Sequence, residues 1–360
     1  MEEIRNDYIL HFFIFQKFTE DYIKFINHNF ENCRHVFILY GDEKYYVGNI
    51  NQIVQLKNVK LIDHLKLKSL ISYVKNSKKV ILHGLFDYKL FVFINVFAFK
   101  KCGIVFWGGD IELLKEKNKS VKTCVKYIIS KIFLKYDIAI NLIEEDFNIL
   151  TNMLKYKFNQ HFTTAYYSDL YEKQIIKLPY IHNLRTINIL IGNSATKSNN
   201  HFEIIDYLSR FRNEMINIYI PLSYGDIKYG REVEKYAKLK LGNKVTLIKD
   251  YMQPQEYNSF LNTIDIGIFN YHRQQGLGNI NRLLILRKKV FINSISGMTK
   301  HYQDMNIKIY DTNLLKTCNF LEFIEFNEQE NENNRKILVK KLSNSNIAKK
   351  WDNVFEKEWW

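Results

Sequence analysis

The chain has 360 residues, long for one domain and comfortable for two, and 46% of them are hydrophobic, enough to build real cores. Its net charge of +14 is shared evenly, 26 basic against 19 acidic residues on each side of residue 180, which excludes a basic tail and suits nucleic acid, an anionic membrane surface or a phosphorylated substrate. Cys33, Cys102, Cys124 and Cys318 form no C-x-x-C pair, which argues against a zinc site and a disulfide framework and for a reducing cytosol.

The N-terminus, Met-Glu-Glu-Ile-Arg, lacks the order of a signal peptide. Short β-branched or aromatic runs at 8–15, 36–40, 79–83, 103–107, 138–142 and 162–166 read as strands. Helical patterns fall between them at 19–27, 87–100, 121–135 and 144–153. The longest apolar run, 90–99, is only about half a membrane span and contains Asn95, so the protein reads as soluble or peripheral.

Two strand ends in this half carry chemistry. Leu82-His-Gly-Leu-Phe-Asp87 offers His83, either a base or a structural histidine. Val105-Phe-Trp-Gly-Gly-Asp110 puts Asp110 after a buried strand, where it serves either as a general base or as a helix N-cap. Lys115, Lys119, Lys122 and Lys126 then recur at helical spacing beside Lys100 and Lys101, forming either a solvated face or one that meets anionic lipid or a lipid diphosphate.

The alternation pauses around 178–185 and resumes with strands at 187–191, 216–220, 244–248, 264–269 and 289–292. Helices are expected at about 200–212, 231–240 and 255–262 and after Gly278. Segment 326–335 reads as a linker or solvated helix, and 336–360 as helical. The predicted architecture is α/β, with two Rossmann-like domains facing across a cleft: an acceptor domain (1–180), a donor domain (181–330) and a helical tail (331–360) packing back on the first.

In the second half, Gly192, Asn193 and Ser194 follow a buried strand, and Ser198, Asn199 and His201 lead into a helix. These residues either hold a phosphate or sugar hydroxyl or, for Ser198 and Asn199, simply cap the helix. The loop matches neither a dinucleotide fingerprint nor a P-loop. Tyr224 ends the next strand region, and Tyr257 sits in a loop that borders a base or ribose, or merely packs.

Tyr271-His-Arg-Gln-Gln-Gly-Leu-Gly-Asn279 lies directly between a strand and a helix. The first turn of a helix has unpaired N–H groups and partial positive charge, and glycine admits a phosphate close to the backbone. Arg273 adds a permanent forked cation, with Gln274, Gln275, Gly276, Leu277, Gly278 and Asn279 around it, so the loop reads as a diphosphate cradle. No Asp-x-Asp pair occurs in the chain, which favours metal-free stabilisation of a leaving diphosphate and no cofactor beyond the co-substrate.

These segments resemble a bacterial glycosyltransferase of the two-Rossmann-domain (GT-B) type. Ile191-Gly-Asn-Ser-Ala-Thr-Lys-Ser-Asn-Asn-His201 and Arg273-Gln-Gln-Gly-Leu-Gly278 are similar to the 4-acetamido-4,6-dideoxygalactose (Fuc4NAc) transferases, glycosyltransferase family 56, as are Phe106-Trp-Gly-Gly-Asp110 and His83-Gly84. The resemblance runs from about residue 80 to 310. It implies inverting transfer from a dTDP-linked amino sugar to a polyprenyl-diphosphate-linked oligosaccharide at the inner face of the cytoplasmic membrane, as in enterobacterial common antigen assembly. It places donor contacts at Gly192, Asn193, Ser194, Arg273, Gln274, Gln275, Gly276 and Gly278; Asn279 departs from the family pattern. Partners are then a nucleotide-sugar donor, a lipid-linked acceptor and the membrane surface, with no nucleic acid. The alternatives are a UDP- or GDP-sugar donor for O-antigen synthesis, a non-catalytic nucleotide-sugar binder, and a nucleic-acid-binding protein.

Overall fold

The computed structural model describes residues 7–16, 18–31, 34–43, 50–85, 87–115, 121–135, 137–155, 158–167, 174–179 and 186–359. The chain divides into two compact units: Met1–Ser168 with Asn344–Trp360, and Asp169–Ser343. The boundary therefore falls before the expected 180. The segment expected as one tail is split, the helix Glu328–Lys341 belonging to the second unit and Asn344–Glu356 to the first.

The first unit is built on a seven-stranded parallel sheet of β1 (Ile9–Ile14), β2 (His35–Tyr40), β3 (Val59–Leu61), β4 (Lys79–His83), β5 (Cys102–Phe106), β6 (Ile138–Asn141) and β7 (His161–Thr163). Its strand order is β3-β2-β1-β4-β5-β6-β7. Helices cover a parallel sheet on both faces, so its strands lose the polar alternation of a half-exposed sheet. Thus β2, His-Val-Phe-Ile-Leu-Tyr, is buried along its whole length.

The second unit repeats the plan with β8 (Ile187–Ile191), β9 (Ile216–Pro221), β10 (Val245–Ile248), β11 (Ile266–Phe269), β12 (Lys289–Ile292) and β13 (Tyr310–Asp311), in the order β10-β9-β8-β11-β12-β13. Both sheets start in the middle and reverse direction, between β1 and β4 in one and between β8 and β11 in the other. Such a reversal opens a crevice at the carboxyl ends of the two central strands. The register Ile191↔Ile268 brings the loops after β8 and β11 to the same edge. The short edge strands β3 and β13 were not anticipated, because two or three residues carry no readable pattern.

The helix Asn344–Glu356 completes the first unit's core. Trp351 is fully buried, and its indole donates to the Ala165 carbonyl at 2.9 Å. Lys79 Nζ donates to the carbonyls of Val354, Phe355 and Lys357 at 3.2, 2.5 and 2.7 Å, placing a cation where the helix dipole is negative. Burial lowers this ammonium to about 8. Lys289, at the start of β12, does the same for the carbonyls of Glu322, Phe323 and Glu325.

Candidate functional site

The loops after β8 and β11 meet at the second unit's reversal point. Gly192 leaves β8 with φ +66, and a Cβ there would stand 2.4 Å from Asn199 Oδ1, so only glycine fits. Asn199 is buried and folds the loop on itself: its Oδ1 accepts the Asn193 N–H at 2.9 Å and its Nδ2 donates to Thr196 Oγ1 at 2.6 Å. The residue before the helix His201–Ser209 is Asn200, in the left-handed region and without a side-chain cap bond. Asn199 is thus neither a cap nor an outward contact. His201 is fully buried as well, with Nδ1 3.1 Å from the Tyr229 hydroxyl and burial lowering it to about 3. Ser194 is buried with its hydroxyl 3.1 Å from Thr196 Oγ1. Ser194, Asn199 and His201, expected as outward donor contacts, are turned inward in this structure, where their hydrogen bonds support the loop.

Asn193 is partly exposed and is the hub of the site. Its Oδ1 accepts from the Tyr271 hydroxyl at 2.8 Å and from Gln275 Nε2 at 3.1 Å, while its Nδ2 donates to the Tyr224 hydroxyl at 2.7 Å. Gln275 Oε1 in turn accepts from Ser198 Oγ at 2.5 Å, and Gln275 Nε2 also reaches Thr196 Oγ1 at 3.1 Å. One hydrogen-bonded patch therefore joins the loops after β8, β9 and β11. Tyr271 lies beneath it, fully buried, with burial pushing its phenol well above the usual tyrosine range.

Arg273 and Gln274 stand beside this patch. Arg273 is half-buried and directs NH1 at the Gln274 carbonyl (3.3 Å) and NH2 at Ser198 Oγ (3.5 Å); Gln274 is buried. Gly276 has φ +66, with a hypothetical Cβ 2.9 Å from the Tyr271 hydroxyl, and it opens the helix Leu277–Ile285 without any side-chain cap. Leu277, Gly278 and Asn279 form the partly exposed first turn, and Asn279 Nδ2 donates to the Tyr257 hydroxyl at 3.0 Å. Chemically, the patch combines a guanidinium, an uncapped helix start and several reorientable amides and hydroxyls, the groups that hold a diphosphate and its attached sugar.

Asn270 was not singled out from sequence. Its Oδ1 accepts from Asn293 Nδ2 (2.7 Å) and Thr312 Oγ1 (2.9 Å), and its Nδ2 donates to Glu203 Oε2 (2.7 Å), tying β11, β12 and the first helix together below the loops. Hydrogen bonds from Tyr207 and then Asn270 lower the Glu203 carboxyl. A polar residue ending an apolar strand was the available signal.

In the first unit, Asp110 and His83 are both fully buried. Asp110 sits inside the first turn of the helix Gly108–Lys115, where Oδ2 accepts the Trp107 N–H at 2.8 Å and Oδ1 makes no well-formed hydrogen bond. Burial raises its carboxyl to about 7, against the pull of the Trp107 and Leu85 backbone N–H groups. His83 has both ring nitrogens occupied, Nδ1 with the Tyr166 hydroxyl at 2.7 Å and Nε2 with His11 at 3.1 Å, and burial holds it well below the usual histidine range. This corrects the reading of His83 as a base open to substrate. Lys115, Lys122 and Lys126 lie on the helices Gly108–Lys115 and Val121–Leu134, but their side chains, and Lys119 altogether, fall outside the described residues. Among the described residues no group of three or more His, Cys, Asp or Glu side chains is arranged to hold a metal ion.

The family model described as 4-alpha-L-fucosyltransferase glycosyl transferase group 56 matches residues 44–314. In fold, the chain is similar to a glycosyltransferase from Rickettsia africae, with a TM-score of 0.67 at 13% identity over 98% of each chain. HepE of Anabaena in complex with UDP gives 0.68 at 12% identity, over 96% of this chain and 99% of that one. Sucrose-phosphate synthase from Thermosynechococcus elongatus gives 0.66 at 10% identity, over 97% and 98%. At such identities the likeness is one of fold, two Rossmann-like units in the GT-B class.

Proposed function

Because the chain belongs to glycosyltransferase family 56, we propose that its second unit binds a dTDP-linked deoxyamino sugar of the Fuc4NAc kind and that the sugar is transferred, with inversion, to a polyprenyl-diphosphate-linked glycan. One observation carries the donor half of this reading. The Asn193–Gln275–Ser198 patch lies beside Arg273 and the uncapped helix start, at the reversal point of the sheet. Arg273 and the helix N–H groups hold the charge that develops on the leaving dTDP, which leaves no requirement for a metal.

Asp110 is the proposed base. Its carboxyl, raised to about 7, is matched to taking a proton near neutral pH. Because Oδ1 is sealed in this structure, the assignment requires the Trp107–Asp110 turn to open to the acceptor hydroxyl. The deciding experiment is a calorimetric panel of dTDP, UDP, GDP and their sugars, followed by turnover on a lipid-linked acceptor with and without EDTA. No binding of any nucleoside diphosphate sinks the donor assignment. UDP is the second reading, favoured by the likeness to the UDP complex of HepE.

The acceptor side of the proposal includes the cytoplasmic face of the membrane. No helix among the described residues is long and apolar enough to cross a bilayer. The first unit exposes Val125, Ile128 and Ile132 at helical spacing on the helix Val121–Leu134; Val96 is exposed on the neighbouring helix Tyr88–Phe97, which it meets through Phe91 and Phe133, and Phe99 in the turn that follows. Lys100, Lys131 and Lys135 on the same segments are exposed as well, the pairing of apolar side chains and cations that anionic lipid attracts. Co-sedimentation with anionic but not zwitterionic vesicles, weakened by salt, is the expected outcome; equal recovery with both vesicle types refutes it.

A further inference from the structure

Three buried histidines cross the first sheet in a line. His35 Nδ1 lies 3.0 Å from His11 Nε2, His11 Nδ1 lies 3.1 Å from His83 Nε2, and His83 Nδ1 lies 2.7 Å from the Tyr166 hydroxyl. The registers Ile9↔His35 and Phe13↔His83, with His11 between them, make the line diagonal across β2, β1 and β4.

Burial decides which way the hydrogens point. Tyr22 is fully buried, and its hydroxyl has one partner among the described residues, His11 Nδ1 at 3.5 Å. A buried hydroxyl directs its hydrogen at an available acceptor, so His11 Nδ1 is bare and the ring hydrogen is on Nε2. His83 Nε2 faces that bare nitrogen and therefore carries hydrogen. Burial keeps both rings neutral, with one hydrogen apiece. His83 Nδ1 is then an acceptor and takes the Tyr166 hydrogen. Trp107 Nε1, which can only donate, fills one lone pair of the Tyr166 oxygen at 3.2 Å. One lone pair is left.

Tyr166 is partly exposed, as are Phe18 and Trp107 beside it. Phe18 lies nearly parallel to Tyr166 at 6.1 Å, and Trp107 meets the two edge-on at 6.3 and 5.8 Å. Flat aromatic faces accept the apolar face of a pyranose, and the phenolic tip accepts a hydroxyl. We propose that Tyr166 is an acceptor-sugar binding residue whose remaining lone pair accepts a hydrogen bond from a saccharide hydroxyl, with Phe18 and Trp107 flanking the ring. His83, His11 and Tyr22 are positioning residues that lock the phenol in that polarity. The assignment rests on the glycosyl-transfer reading and names the recognition group on its acceptor side.

The test uses the full chain and a short-chain polyprenyl-diphosphate disaccharide, titrated by calorimetry without donor. Tyr166→Phe weakens disaccharide binding about tenfold, the ordinary effect of one lost hydrogen bond, and leaves dTDP affinity unchanged. Equal disaccharide affinity in the two proteins, or none in the wild type, overturns the proposal. Failure of wild type to bind dTDP strikes the donor reading instead. Imidazole ¹⁵N shifts give a second readout independent of binding: His83 and His11 are neutral Nε2–H tautomers, and an Nδ1–H tautomer at either reverses the line and overturns the assignment.

Discussion

The two units share a strand order and differ at the point where it reverses. In the second, amides and hydroxyls from three loops converge on Asn193, next to Arg273. In the first, the equivalent region is filled by imidazoles and aromatic rings, with Asp110 sealed beneath the Trp107 turn. The same topology thus supports a reorientable polar surface in one unit and a rigid, desolvated interior in the other. Topology sets where a site can lie, and the residues just past each strand set its chemistry.

The largest expected effect tests the rigid side. Asp110→Asn lowers kcat at least about a hundredfold while dTDP affinity holds, the usual size of a lost general base; retained turnover removes Asp110 from the chemistry. With a carboxyl near 7, wild-type kcat/KM falls as pH drops through that value. The same group gives an opposite stability signature. Its folded value lies above the ordinary 3.8, so ionisation costs the folded state nothing below about 4 and the full amount above 7. Asp110→Asn therefore melts higher than wild type at pH 8, with the gap closing toward pH 4, as read by calorimetric Tm.

On the polar side, Arg273→Ala weakens dTDP binding by roughly ten- to a hundredfold, the range for a charge-assisted hydrogen bond, and unaltered affinity refutes the cradle. Trp351→Ala separates the units by stability. Emptying a fully buried indole site costs about 3–5 kcal/mol, and the loss falls on the first unit's unfolding transition alone. Gln275→Ala is the mildest change, a loss of about fivefold to tenfold in donor affinity, since one neutral amide leaves the patch. A larger loss than at Arg273 would mean that amides rather than the guanidinium dominate donor binding.

Much of this was legible in the chain itself. Strands β4, β8 and β12 match their predicted limits, because an apolar run bounded by polar residues has one economical home, the interior of a parallel sheet. The glycine-bearing loop 271–279 was visible for a similar reason, since glycines and an arginine between a strand and a helix point to a helix start facing an anion.

Other features were decided only by the tertiary structure. His11, His35, Tyr22 and Tyr166 are scattered over 156 positions and carry no local pattern, yet parallel pairing brings His11 and His35 onto strands beside that of His83, with Tyr22 next to His11 and Tyr166 at the end of the line. The return of Asn344–Glu356 to the first core, and the difference between a buried Asn199 and a partly exposed Asn193, likewise depend on contacts between distant residues. Local sequence sets periodicity and turn chemistry through short-range sterics and hydrogen bonds. Burial, and with it the protonation and outward valence of each polar group, is set by what the rest of the chain packs against it.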